Sequence, residues 1–159
     1  MAAAGTLGAR LYASATPLTN IEAAADAISD FQGLTIATEV GLIESFGEFG
    51  RVFAPVNFQA VADGRMYKLK GGFDDGNIAL TLGQDLSDGG QALLSSYGNA
   101  SNQNTYPFKI TLTGADANFD TIYFGAKVMS FRTQMGSVNS VVKAMVTLDI
   151  NTPIFTGAS

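Results

Sequence analysis

The chain has 159 residues with no His, no Cys and no Trp, and only 14% of its residues are charged. Disulfides, thiolate nucleophiles, imidazole bases and zinc sites built on Cys or His are therefore excluded. Its 9 Lys+Arg stand against 14 Asp+Glu, a formal net charge of -5, which argues against sequence-specific binding to duplex DNA, since that needs a basic face. Apolar residues make up 47%, enough for a packed core in one domain spanning 1–159. No apolar run reaches the roughly 18 residues of a membrane-spanning helix. Met1 to Gly8 lacks the basic and apolar regions of a secretory signal, and the missing cysteines fit a cytoplasmic chain. The composition points to a structural or binding protein rather than an enzyme.

In chain order, Ile21 to Ile28 is a short, alanine-rich helical candidate, and Leu34 to Val40 reads as a strand. Gly41 to Gly50 mixes Leu42, Ile43, Phe46 and Phe49 with Glu44 and Glu48 and shows no clear period. Val52 to Phe58 reads as a strand that tolerates Pro55 only at an edge or a bulge. Arg65 to Lys70 is a less regular strand, and Asp74-Asp75-Gly76 is a turn signal, because Gly takes positive φ readily. Ile78, Leu80 and Leu82 then alternate with Asn77, Ala79 and Thr81, the period of a half-buried strand.

A helix follows. Asp88 has the spacing of an N-cap, with Gln91 three residues on as in a capping box. Ala92, Leu93 and Tyr97 form its apolar side, and Gly98 stands where a C′ glycine ends a helix. Gly89 and Gly90 weaken its first turn. Asn99 to Thr105 is a polar loop. Tyr106 to Leu112, Asp120 to Phe131 and Val138 to Ile150 all alternate, and Arg132 to Ser137 suits a loop between the last two, making an antiparallel pair. Many short strands with glycine punctuation predict a sandwich or barrel.

Few residues are placed for chemistry. Asp74 with Asp75 reads as a turn, since hard-cation loops need more oxygen ligands. Asp85 and Asp88 complement a helix N-terminus. Glu44 and Glu48 form a glycosidase pair only across a cleft. No phosphate loop occurs, Gly71-Gly72 joins two strand candidates, and Lys68 with Lys70 reads as an edge-strand guard. Ser95 and Ser96 have no imidazole partner. The apolar segment 41–50 is the one feature that reads as a partner contact.

Several landmarks occur in order. They are TEVGLIESFGEFGR, with Glu39, Glu44 and Gly50; the run Lys70 to Leu82 (KGGFDDGNIALTL); and Asp88 to Leu94 (DGGQALL). Tyr106 to Ile110, Phe124 to Val128 and Val141 to Ala144 follow. In this order and spacing the chain resembles the major tail tube protein of long-tailed bacteriophages of the siphovirus class, over about Gly8 to Pro153. Gly89 departs from that family, which usually has Pro there.

The resemblance implies a mainly β subunit: a β-sandwich or split barrel with one flanking α-helix. Its sheets would join into a hexameric ring with a continuous inner β-barrel. It implies a structural virion protein of the phage tail, polymerising as stacked rings into a non-contractile tube through which genome DNA passes without specific binding. No catalytic, cofactor-binding or metal site is implied. Implied partners are the chain itself, a tail tip or initiator, a tape-measure protein and a tail-terminator protein, with assembly in the host bacterial cytoplasm and no membrane insertion. Segment 41–60 becomes an inter-ring loop or hairpin, with Leu42, Ile43, Phe46, Phe49, Arg51 and Phe53 as its contacts. Glu39 and Asp149 become lumen-facing acids that keep DNA phosphates from sticking. The alternatives are the inner tube of a contractile tail or secretion apparatus, and a monomeric carbohydrate-binding β-sandwich. The missing Trp counts against the last of these.

Overall fold

The alternating runs become an eight-stranded antiparallel sheet and a separate two-stranded ribbon in the computed structural model, which describes residues 3–19 and 27–158. Its strands are β1 (Arg10–Ala13), β2 (Thr38–Val40), β3 (Ile43–Ser45), β4 (Val52–Gln59), β5 (Met66–Asp74), β6 (Asn77–Gly83), β7 (Tyr106–Thr111), β8 (Thr121–Gln134), β9 (Lys143–Ile150) and β10 (Phe155–Gly157). Among the described residues two helices accompany them, α1 (Ile28–Gln32) and α2 (Gly89–Tyr97). The main sheet runs β2-β1-β7-β8-β9-β6-β3, with β10 also paired to β8. The fold is thus mainly β with one substantial flanking helix, as the sequence suggests.

The two ends of this strand path are neighbours in sequence. β2 and β3 are separated only by Gly41 and Leu42, and Leu42 has φ 59, a left-handed value that few non-glycine residues adopt. One kinked segment therefore occupies both edges and folds the sheet around on itself. The inward rows meet in one core of Leu11, Ile78, Leu80, Leu82, Phe108, Phe124, Val146 and Leu148, into which α2 sets Leu94 and Tyr97. A second cluster of Leu18, Phe31, Ile36 and Tyr123 lies under α1, on the opposite face of β8.

β8 belongs to both halves. Thr121 to Ala126 pairs with β7 on one edge, while Ala126 to Gln134 pairs with β9 on the other. A bulge between Val128 and Ser130 marks the change, and bulges raise local twist. β6, β9 and the second half of β8 thus form a wing with one face inward and the other exposed.

Several expectations are corrected. The strand expected over Val138–Ile150 starts only at Lys143, because β8 ends at Gln134, whose partner is Lys143; residues 135–142 must connect the two. Accordingly β8 runs through Arg132 to Gln134, where a loop was expected. The strand over Leu34–Val40 shrinks to three residues, matched to Leu11–Ala13. Gly71 and Gly72 lie inside β5 rather than between strands. Asp74-Asp75-Gly76 does form a turn, with Gly76 at φ 86, but it passes the chain from one sheet to another. Gly98 ends α2 at φ -75, so no left-handed C′ residue is used, and Ala92 faces solvent. The helix expected over Ile21–Ile28 lies, through residue 26, outside the described residues; α1 begins at Ile28.

Candidate assembly interface

β4 and β5 form a hairpin that pairs with no other strand among the described residues. Seven cross-strand pairs define it, from Val52 opposite Asp74 to Gln59 opposite Met66, with a bulge between Phe53 and Pro55. Pro55 thus sits where a proline is tolerated in a strand. Opposite residues share a face, so Val56, Phe58, Tyr67 and Leu69 line one side of the ribbon. Pro55, Asn57, Gln59, Met66, Lys68 and Lys70 line the other, where the Lys70 ammonium lies 4.8 Å from the centre of the Phe53 ring. Both strands are exposed almost throughout, and Phe58 and Leu69 leave 60% and 62% of their surfaces open.

The ribbon is shaped at both ends. At its tip, the Tyr67 hydroxyl donates to Asp63 at 2.7 Å, and the Arg65 amide donates to the same carboxylate at 3.0 Å. These bonds hold the Asp63 carboxyl below its usual range and push the Tyr67 phenol up. At its root, Arg51 donates to Asp75 at 2.8 Å while its guanidinium lies 4.0 Å from the centre of the Phe73 ring. Phe73 in turn stands 5.7 Å from Phe53. A Cβ on Gly76 would come 2.9 Å from the Gly50 carbonyl, so the two strands leave the body through a tight pass.

Of the residues expected at the inter-ring contact, Ile43, Phe46 and Phe49 are partly buried against the chain's own core. Ile43 lies in β3, which pairs with β6. Leu42 is exposed, Arg51 is held at the hairpin root, and Phe53 lies beside Phe73 and Lys70 on the face opposite Val56 and Phe58. The aperiodic look of 41–50 has a simple cause: the segment turns a corner, so no one face repeats. The larger apolar surface lies farther along. Its trace in the sequence is two runs of alternation, Val56/Phe58 and Tyr67/Leu69, whose other rows carry Asn57, Gln59, Lys68 and Lys70.

The two acids expected to face a channel are not brought together. Glu39 lies on β2 and accepts from Arg10 at 3.4 Å. Asp149 lies on the exposed face of the wing, opposite Asn77 on one side and Lys127 on the other. The same face carries Arg132 opposite Met145, and Lys143, which binds Glu44 at 2.8 Å. The cap residues stand as expected at the start of α2: Asp88 accepts from the Gln91 amide at 3.1 Å, and also from Gly41 at 3.1 Å. Gln91 does not close the box. Its side chain instead ties Gly41, Gly83 and Asp85 together.

Among the described residues, no group of three or more Asp or Glu is placed to hold a metal, and no helix is long and apolar enough to cross a membrane. The carboxylates weighed for chemistry serve local structure. Asp74 accepts from Gly76, and Asp85 accepts from Ser87, whose hydroxyl keeps that carboxyl below its usual range.

No family model and no curated protein matches the sequence. The fold, however, recurs in solved structures. It matches a chain in the sheath/tube terminator of an extracellular contractile injection system (PVC) with TM-score 0.65 at 14% identity, covering 97% of this chain and 96% of that one. A chain in the anti-feeding prophage (AFP) baseplate gives TM-score 0.66 at 9% identity, covering 94% and 91%. The SPP1 tail tube gives TM-score 0.56 at 15% identity, covering 95% and 77%. At these identities the shared property is the fold, which spans nearly the whole of this chain.

Proposed function

We propose that the protein is a structural subunit of a tail tube, assembling through its sheets into hexameric rings that stack around a channel for DNA. The observation that carries this reading is the β4–β5 hairpin. A two-stranded ribbon is at best marginally stable in water, and this one keeps an exposed apolar side with no partner among the described residues. A partner surface explains it, and tail tubes supply one at every repeat. The shared fold with the SPP1 tail tube supports the same conclusion.

In this reading the contact between rings is made by the apolar hairpin face together with Leu42, while Arg51 fixes the hairpin root. Ile43, Phe46 and Phe49 support the contact from beneath. The chain occupies the virion, meeting the tail tip, tape-measure and terminator proteins at the ends and inside of the tube. We also propose that the channel wall is net acidic, with Glu39 and Asp149 among its lining residues. A tube reconstruction lined mainly by Lys127, Arg132 and Lys143 overturns that part.

Electron microscopy of the concentrated protein tests assembly directly. Rings or hollow tubes are expected, and Phe58→Asp with Leu69→Asp should leave rings that no longer stack. A parent protein that stays monomeric at high concentration overturns the reading.

A second reading, the inner tube of a contractile system, has its own support in the likeness to the contractile injection system chain, at TM-score 0.65. Its test is whether the tube recruits a sheath subunit encoded nearby.

A further inference from the structure

One strand edge in the wing lacks a neighbour. On the edge where β7 pairs, β8 is occupied only as far as Ala126, and β9 takes the opposite edge from Ala126 to Gln134. Beyond residue 126, the β7-side edge of β8 has no strand partner among the described residues. Unpaired edges of this length pair with other chains unless guarded. The hairpin has the complementary lack, two strands without a third.

We propose that residues 130–134 of β8 form a strand-pairing site for β4 of a second copy of the chain. The proposal rests on the tail tube reading and names the strands that join neighbouring subunits. Pairing within one chain is disfavoured by placement: β5 enters the wing through β6, and β9 stands between β6 and the open edge of β8. Donor and acceptor thus lie on opposite sides of one subunit. A contact between two different patches is heterologous and generates a ring or an open filament.

Charge selects β4 over β5. The exposed row of β8 carries Lys127 and Arg132, and β5 would set Lys68 and Lys70 beside them, whereas β4 has no charged residue. Like charges directly across a ladder are destabilising. Pro55 cannot donate to a ladder, which leaves Val56–Gln59 as the pairing stretch. On β8 the bulge ends at Ser130, so a regular edge begins there. The edge and the apolar face of the hairpin are different surfaces, so this pairing leaves that face free for the stacking contact.

The cysteine-free sequence makes the test clean. Singly substituted chains, Asn57→Cys in one preparation and Ser130→Cys, Arg132→Cys or Gln134→Cys in the other, are mixed, allowed to assemble and oxidised with copper phenanthroline. A cross-linked dimer with at least one β8 position is expected, and Lys68→Cys in place of Asn57→Cys should give at least tenfold less. Tubes by microscopy with no cross-link at any β8 position overturn the pairing and leave the tube reading standing. A stronger cross-link through Lys68→Cys overturns the choice of β4. Absence of assembly in the unsubstituted protein overturns both.

Discussion

A Cβ placed on Gly90 would stand 2.6 Å from the Cα of Val40, so the second residue of α2 rests directly on the backbone of β2. No side-chain rotation relieves that contact, because the obstacle is main chain. Gly90→Ala should cost about 1–3 kcal/mol or more, as overpacking does. Gly89 is the control, since its added Cβ meets only Thr38 at 3.8 Å. Gly89→Ala should be neutral or stabilising by up to about 1 kcal/mol. Gly89→Pro should also be tolerated, as the first helical position suits proline. Urea unfolding of the three variants separates these outcomes.

Gln91 is fully buried, and its carboxamide is completely used. The amide donates to Gly41 and Gly83 at 2.9 Å each, and the oxygen accepts from Asp85 at 2.8 Å. Gln91→Leu leaves three backbone groups without partners, at about 1–3 kcal/mol each. Gln91→Glu should be worse at pH 7 than at pH 4, because a buried carboxylate would face two carbonyl oxygens until it is protonated. Thermal unfolding at the two pH values reads the difference.

Alkaline pH should unfold the protein through Tyr97. Burial, with Tyr106 beside it, pushes its phenol up from 10.0 to about 12. The rings stack at 3.6 Å, and the Tyr97 hydroxyl donates to the Ser14 carbonyl at 2.7 Å. The folded state holds this proton more tightly than the unfolded state does. Its contribution is therefore complete below pH 10 and is lost as pH rises toward about 12. Tyr97→Phe should cost about 1 kcal/mol at pH 7 and flatten the fall in stability across that window. Tyr123, also raised by burial, should account for part of what remains.

Removing the hairpin should leave the body folded. Among the described residues β4 and β5 pair only with each other, and none of the fully buried side chains of the core lies in them. Replacing residues 53–73 with a short glycine-serine linker should shift the unfolding midpoint by no more than a few degrees. The same change should abolish assembly, as read by light scattering and microscopy.

Much of the body was legible because its strands are half buried. Ile78, Leu80 and Leu82 alternate with exposed positions, and β6 stands where the alternation is cleanest. Asp88 was legible because capping is local chemistry. Segment 41–50 was not, since its apolar residues serve a corner joining two edges rather than one face. The start of β9 was misplaced because Val138 and Val142 continue the period of the strand, while only the register with Gln134 sets where pairing begins. Arg65 to Lys70 reads as a less regular strand, and nothing in its sequence says that its apolar row lacks a core. The surface that carries the proposed function was therefore visible as a pattern and hidden as a location.

β8 passes without interruption from its ladder with β7 to its ladder with β9. Ladder hydrogen bonds lie across the strand direction. A pull applied along this strand would therefore load many bonds in shear at once, rather than opening them one after another like a zip. If neighbouring copies grip the Ser130–Gln134 end, lengthwise strain on a tube wall is handed straight into the interior around Phe124. In mechanical terms the strand is a tie rod, and the toughness of the filament would be set by the core of each subunit as much as by the joints between them.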